Sequence, residues 1–492
     1  MVAVNTTQAP TTASATPHLG TGHVLNTKTL SQALAATPGA DAWQVEVIGD
    51  DEAQLYIIGE RVESRRNVTN QRAHASVHHF HLPQHPQLDN GATEQGRQAE
   101  QSGINAQALG MSDLTLLASD VAHPATLAAR LNEAVAMASL TDNRPFRLPG
   151  AIDTTYPMPL LVDPTLQRDM ADALERARVQ LAVAVAEQPG VRLSSAELYA
   201  TRRQRSFRNS RGLTGSSQET EVALDLVLIA GEGDRAAEMH AELRRRRIED
   251  LQIEKTVAAY ATFARHAVYA TTPTTMQGPV ILSGDALSNF FVSPLFMGSA
   301  LLFHASAQSA YLHLSRFALG ESITGDEPLG DRLTLASDAL RPYGVRSYRF
   351  DSDGLPATDA TLIENGVFKR HWADARYSVY LDVPPTGGLG NITVGRGTAS
   401  LDALRSVDGG PVYEIVSFSA FTPDQVTGDF ASEIRLGYLH DASGVRPIKG
   451  GVLSGNVFTA LRDVRFSAEA YTDGNYYGPS AARFGDLSVA GS

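Results

Sequence analysis

The sequence predicts an α+β protein of two domains. Residues 25–270 form an N-terminal α/β domain with long helices. Residues 271–492 form a mostly β C-terminal domain around a central pair of small-residue helices. Three observations predict this. The first half alternates strand-like runs with long stretches of helical apolar spacing. The second half is a series of short strand-like runs separated by turns containing Gly, Asn and Asp. Between them, residues 271–277 are a Thr-Pro-rich joint, the composition of a domain boundary.

The central stretch, residues 278–319, organises the C-terminal domain. Pro279, Val280, Ile281 and Leu282 read as a buried strand ended by the turn Ser283-Gly284-Asp285. Apolar and small residues follow, including Phe290, Phe291, Phe296, Leu301, Leu302 and Phe303, and Pro294 and Gly298 divide them into two helical pieces. Asn289, His304, Gln308, His313 and Arg316 punctuate the stretch, so no apolar run reaches the roughly 20 residues a bilayer span needs.

Over 492 residues the apolar fraction is 43% and the charged fraction 19%, the balance of a soluble globular chain. A net charge of −13 argues against a nucleic-acid partner, whose phosphates need a basic surface. The chain has no cysteine, which excludes disulfides, thiolate nucleophiles and Cys-liganded metals and fits a cytoplasmic location. Residues 1–24 are expected to be a disordered tail. Up to about Gly22 they are rich in Thr, Ala, Ser and Pro, without Lys, Arg or the apolar run of a secretory signal.

In chain order, residues 30–36 predict a short helix. Residues 43–48 and 54–58 predict two strands joined by a turn at Gly49-Asp50-Asp51. Residues 61–72 alternate as an exposed strand, 73–82 carry a histidine cluster, and 83–107 read as a polar loop. Residues 123–139 have helical spacing. Over 164–187, Asp163 caps, Pro164 opens the helix, and Leu166, Met170, Leu174, Leu181 and Val185 form its apolar stripe. Residues 197–201 predict a strand, 202–208 a basic segment, and Asn209-Ser210-Arg211-Gly212 a tight turn. After an apolar strand over 222–229, a helix is predicted over 234–270. Arg244, Arg245, Arg246 and Arg247 look like a binding patch. However, Glu242 precedes Arg246 by four and Arg245 precedes Glu249 by four, the spacing of paired charges on a solvated helix.

In the second half, residues 333–335 predict a strand, 350–354 a turn, and 360–367 a hairpin with a type I′ turn at Asn365-Gly366. Residues 384–397 read as a Gly-rich loop. Residues 412–419, 427–430, 434–439, 446–448 and 484–490 read as sheet, and Ser454-Gly455-Asn456 as a helix start.

No complete active site emerges from residue chemistry. In the cluster His74, His78, His79 and His81, with His85 beyond, His74 and His78 are four apart, a spacing that on a helix could ligate zinc. The flanking pattern reads instead as a strand, with His74 and His78 on one face and His79 and His81 on the other. A His-rich surface strand is favoured, then a pH-sensitive patch, then a metal site. No Gly-x-Ser-x-Gly elbow is present. Asp351 and Asp353 are a carboxylate pair, but before Gly354 they suit a turn better than acid–base work. Gly387-Gly388-Leu389-Gly390 lacks the Lys-Ser/Thr that follows a phosphate loop. His304 and His313, on one continuous helix, would lie on opposite faces and suit hydrogen bonding beside the core.

An ordered set of motifs resembles the TldD/TldE (PmbA) family. It comprises the 278–282 strand before small-residue helices and Phe350-Asp351-Ser352-Asp353-Gly354, where the family has Phe-Asp-x-Glu-Gly. Next come Leu362-Ile363-Glu364-Asn365-Gly366-Val367, then Thr386-Gly387 with Asn391. Thr427-Gly428-Asp429-Phe430, Ser454-Gly455-Asn456 and Leu487-Ser488-Val489-Ala490-Gly491 follow. Asn209-Ser210-Arg211-Gly212 is similar to the family's Asn-Ser-x-Gly turn. The resemblance implies a two-domain TldD/PmbA-like fold, with these positions structural or cavity-lining. Asp353 departs from the family's Glu.

TldD-like members carry His-Glu-x-x-x-His on the helix after the Gly-Pro-Val strand, and a late Cys completes their metal site. Here the matching stretch, residues 290–296, has neither His nor Glu, and Tyr477 stands where the Cys would. The resemblance therefore implies a TldE-like chain without catalytic, cofactor or metal residues. Zinc would be held by a TldD-like partner in a heterodimer that cleaves unfolded or modified peptides in an enclosed cavity. The alternative is a homodimeric peptide-binding or scaffold protein. A metalloenzyme using the His74–His85 cluster ranks last.

Overall fold

Trp43, Val45, Val47, Ala53, Leu55 and Ile57 bury one side of a single strand, β1 (Ala42–Ile58). The computed structural model describes residues 25–82, 108–151, 156–292, 299–325 and 328–491. The expected tail at 1–24, the loop at 83–107, His85, Pro294 and Gly298 lie outside the described residues. Antiparallel strands β2 (Arg61–His81), β3 (Ala108–Leu117), β4 (Val191–Asn209), β5 (Thr214–Ala230) and β6 (Ala237–Arg245) join β1 in the order β3-β2-β1-β4-β5-β6.

The expected turn at Gly49-Asp50-Asp51 does not form. Asp50 is instead held across the sheet by Arg72 at 3.0 Å and Arg203 at 2.7 Å, so the strand runs straight through. The basic segment 202–208 is likewise inside β4, not beyond it.

Four helices cover one face. They are α1 (Thr27–Ala36), α2 (Pro124–Ala138), α3 (Met170–Ala186) and α4 (Ile253–Tyr269). Leu30, Leu34, Leu127 and Leu131 pack on Val45 and Ala75. Leu174, Leu181, Val257 and Ala261 pack on Leu55, Leu198 and Leu224. The helix predicted over 164–187 breaks at Asp169, which caps α3 after a short helix, Pro164–Arg168, capped by Asp163.

The predicted helix over 234–270 is wrong in its first half. Ala237, Met239, Ala241 and Leu243 alternate with Glu238, His240, Glu242 and Arg244, and this period of two builds β6. A 3-10 turn, Ile248–Leu251, then leads into α4. The four arginines therefore do not share a solvated helix. Arg244 and Arg245 end β6, and Arg246 turns inward, its side chain 5% exposed. It donates to the carbonyls of Gly344 (3.0 Å), Val345 (3.0 Å), Ser347 (2.7 Å) and Thr220 (3.3 Å), and pairs with Glu219 at 2.8 Å.

The C-terminal half holds two further sheets. One contains β7 (Met276–Ser283), β12 (Val412–Phe418), β13 (Asp429–Asp441), β14 (Gly444–Ile448), β15 (Val452–Asn456), β16 (Val464–Phe466) and β19 (Ala481–Ala490). The other contains β8 (Leu335–Asp338), β9 (Ala360–Glu364), β10 (Val367–Phe368), β11 (Asn391–Val394), β17 (Ala470–Asp473) and β18 (Tyr476–Pro479). Asn365 (φ 51°) and Gly366 (φ 78°) form the predicted I′ hairpin turn. The strand expected at 333–335 is shifted to β8, and the Gly-rich loop contains β11.

Among the described residues, three short helices stand where two were expected: α5 (Asp285–Val292), α6 (Ala300–His304) and α7 (Ala307–Tyr311). One core unites α5 and α6 with both sheets through Val280, Phe290, Leu301, Leu335, Ile415 and Phe484. The halves also share a core, in which Ala230, Met239 and Ala264 meet Val416 and Leu436. Among the described residues no helix is long and apolar enough to cross a membrane.

Arg246 predicts a measurable dependence. Arg246→Met leaves Glu219 and several carbonyls without their buried donor, and is expected to cost roughly 3–5 kcal/mol. Urea unfolding of the variant checks this; a loss below about 1 kcal/mol would show that the contact is dispensable.

Candidate functional site

The helix-free face of the N-terminal sheet carries charge. Arg72, Asp50, Arg203, Glu219 and Arg246 form an alternating ladder across β2, β1, β4, β5 and the end of β6. On this face sits the turn at residues 350–354. Phe350 packs against Phe207 and Leu213. Asp351 Oδ1 accepts from the N–H groups of Asp353 and Leu355, each at 2.9 Å. Gly354 has φ 79°, and a Cβ there would lie 2.4 Å from the Phe207 ring, so glycine is required.

The turn separates two cavities, and Ser352 lines both. The first, about 450 Å³, is basic: Arg203, Arg205, Arg244, Arg246 and Arg346 outnumber Glu219, Glu221 and Asp351. The second, about 530 Å³, is lined by Gln44, His78, Asp113, Asp353, Asp374 and Arg376, among others. Burial pushes the Asp351 carboxyl up to about 7, Asp353 adds to this, and the two backbone N–H groups oppose it. Burial also depresses His78 to about 4, against the opposing charge of Asp113.

The motif positions fall into two knots and a strut. Asn209 Oδ1 accepts from Arg211 and Leu213 N–H, its Nδ2 donates to Pro149 O, Ser210 Oγ accepts from Trp43 N, and Gly212 has φ 83°. This turn lies beside Phe350 through Phe207 and Leu213. The second knot pairs Asp429 with Asn456 and Phe430 with Gly455 across β13 and β15. After α8 (Ala375–Leu381), Asn456 of this knot caps α9 (Val457–Ala460), and its Nδ2 donates to Thr427 O and Asp429 Oδ1. Gly428 and Gly455 leave room for the Phe458 and Leu487 side chains. Asn391, fully buried, ties Ser347 and Asp338 and accepts from Arg346 N. Of the motif positions, Phe350, Asp351, Ser352 and Asp353, all in one turn, line a cavity described above.

The histidines lie on a strand, as the pattern predicts. His79 and His81 stack at 5.6 Å on the helix side, and His74 and His78 line the second cavity. His304 Nε2 donates to Val426 O (3.0 Å) and its Nδ1 accepts from Arg316 N (3.0 Å). His313 follows α7 with φ 57°, so the two do not share a helix.

Sequence reading missed Gln44, His78, Asp374 and Arg376 as one group. No local window holds them together. It also missed Glu414, which is 1% exposed and bound by Arg405, His440 and Ser283. Burial would raise its pKa, but His440 and Arg405 outweigh burial and lower it to about 2.

Residues 275–491 match the family model described as the PmbA/TldA metallopeptidase C-terminal domain. The C-terminal part of the chain therefore carries the domain of the TldD/PmbA family. A zinc metalloprotease TldD homolog from Saccharolobus solfataricus is 25% identical over 280 residues, 52% of this chain and 60% of that protein. Metalloprotease PmbA from Escherichia coli O157:H7 is 24% identical over 266 residues, 52% of this chain and 56% of that one. The chain thus spans little more than half the length of these curated relatives. The crystal structure of TldE from Thermococcus kodakarensis superposes with a TM-score of 0.72 at 17% identity, covering 94% of this chain and all of that one, which shows a shared fold.

Residues 290–292, the described part of the matching stretch, offer no metal-ligating side chain. Phe290 and Phe291 of α5 are fully buried, Phe290 against Phe484 at 5.0 Å and Phe291 against Tyr476 at 6.0 Å. Tyr477 lies under the Arg341 guanidinium, 4.0 Å from its ring centre. Among the described residues no three His, Cys, Asp or Glu side chains converge as a ligand set.

The raised carboxyl of Asp351 sets a pH dependence. Its neutral form is the one the fold prefers, so its contribution is complete below the ordinary value of 3.8 and is lost as pH rises through about 7. Asp351→Asn keeps the turn's acceptor without the charge. Relative to wild type, its stability is expected to improve by more than ~1 kcal/mol between pH 4 and 8, one pK unit being about 1.4 kcal/mol. Urea unfolding across that range checks the sign; a gap moving against the variant would refute it.

Proposed function

We propose that this chain is a TldE-like, non-catalytic subunit of a zinc metallopeptidase that processes unfolded or modified peptides. A TldD-like partner would hold the zinc, and this chain would form part of the enclosing wall. The observation that carries the reading is α5. At the place where the family's metal helix presents His and Glu, this chain presents Phe290 and Phe291, committed to a closed aromatic core. The open, charged sheet face supports the second part. Extended peptides pair with backbone edges irrespective of sequence, and a polar wall does not compete by burying their side chains.

Purification from the native source, with size and zinc measured together, tests this. The expected result is a 1:1 complex with a TldD-like chain, about one zinc per complex, and no stoichiometric zinc in the isolated chain. His304→Ala is expected to leave zinc per complex unchanged, because both ring nitrogens are engaged by backbone groups. Zinc held tightly by the isolated chain would overturn the reading. A homodimer without peptidase activity would establish the scaffold role instead.

A further inference from the structure

The second cavity has a chemistry that the peptidase reading leaves unused. Its carboxylates are Glu46, Asp113, Asp353 and Asp374, against the single guanidinium of Arg376 among the lining residues. Glu46 is already paired with Arg205. The hydrogen bonds of the Arg376 side chain go to other groups. Its Nη2 donates to Asn143 Oδ1 (2.8 Å), its Nε to Tyr380 OH (3.3 Å), and its plane lies over the rings of Tyr377 and Tyr380.

The remaining carboxylates are thinly solvated by the protein. Asp353 accepts from Gln44 Nε2 and from Ala375 N, both at 3.2 Å. Asp374 Oδ1 caps α8 through Tyr377 N (2.7 Å). Burial raises the Asp374 carboxyl and the neighbouring Asp353 charge adds to it, while the N–H groups of Tyr377 and Arg376 and the Arg376 charge oppose the rise only in part.

Two buried atoms of the same cavity are also unsatisfied. Gln44 Oε1 and His78 Nδ1 have no hydrogen-bond partner among the described residues. His78 is 1% exposed, and its neutral ring can offer an acceptor nitrogen. Buried polar atoms left without partners cost stability, so a group that satisfies them binds favourably. An anion would be repelled here, and an apolar group would leave the acceptors unmet. A primary ammonium offers three donors, no acceptor and the compensating charge.

We propose that this cavity is a binding site for a primary ammonium group, seated among Asp353, Asp374, Gln44 Oε1 and His78 Nδ1. The ammonium is the amino terminus of a peptide or the side chain of a lysine within one. The site is formed by this chain alone, so it stands whether or not a catalytic partner exists.

Calorimetric titration of the full chain with three forms of one alanine-glycine hexapeptide tests it. One form has a free amino terminus, one is N-acetylated, and one is N-acetylated with a single internal lysine. At least one amine-bearing form is expected to bind tenfold or more tighter than the acetylated, lysine-free form, and which one does so identifies the source of the ammonium. Asp353→Asn and Asp374→Asn retain the acceptors for Ala375 and Tyr377 N–H, and each is expected to remove that preference. Equal binding of all three peptides, binding by none at millimolar concentration, or variants that keep the preference would each overturn the proposal. The peptide series on the wild-type chain remains decisive if a variant fails to fold.

Discussion

A guanidinium cannot be left dry, and that of Arg246 is almost wholly buried, so the fold must supply its acceptors. It does so with a loop from the other half of the chain. The carbonyls of Gly344, Val345 and Ser347 converge on Arg246 because Asn391 holds Arg346 N and Ser347 Oγ in place. Gly344 is needed there, since a Cβ would come within 2.4 Å of Asn391 Nδ2. The chain leaves this loop through Tyr348 and reaches Phe350 two residues later. Arg246, just beyond β6, thus anchors the chain leading into the 350–354 turn, and Arg205 and Arg349 then tie the turn itself to the sheet through Phe350 O and Ser216 O.

The N-terminal sheet divides its two faces by chemistry. Helices seal the apolar face, while the other face satisfies its own charges through the ladder from Arg72 to Arg246. Such cross-strand pairs do little individually when exposed, but a partly buried alternating row fixes register, because a one-residue slip would reverse every side chain. The same face then presents opposite charge on either side of Ser352, basic around Arg203 and Arg205 and acidic around Asp353 and Asp374. A ligand lying across the turn would meet both.

The aromatic centre of the C-terminal half constrains what α5 can do. Phe290 touches Phe291, Phe421, Phe430 and Phe484, so its replacement by a smaller or polar residue opens a cavity where both the helix and the large sheet meet. The domain match and this packing are separate facts: the first is a likeness over residues 275–491, the second rests on the full burial of Phe290 and Phe291.

Much of the architecture was legible in the chain because it is written locally. Asp163 and Asn456 cap the helices their positions announce, Asn365-Gly366 makes its turn, and the apolar stretch after residue 278 forms the centre of a core. The ordered motifs were legible too, and most of them hold turns and knots. Local signals also misled. Gly49-Asp50-Asp51 has the composition of a turn, and Glu242 and Arg246 have the spacing of a helix, yet both lie in or beside strands. What overrode them are partners distant in sequence: Arg72 and Arg203 for Asp50, the 344–347 loop for Arg246. The acidic cavity has the same origin. Gln44, His78, Asp353 and Asp374 come from two strands, a turn and a helix cap, and each is unremarkable in its own segment. Elements that a few neighbouring residues can specify are legible in the chain itself. Which charges are buried together is set in the folded molecule, because burial and pairing depend on contacts across hundreds of residues.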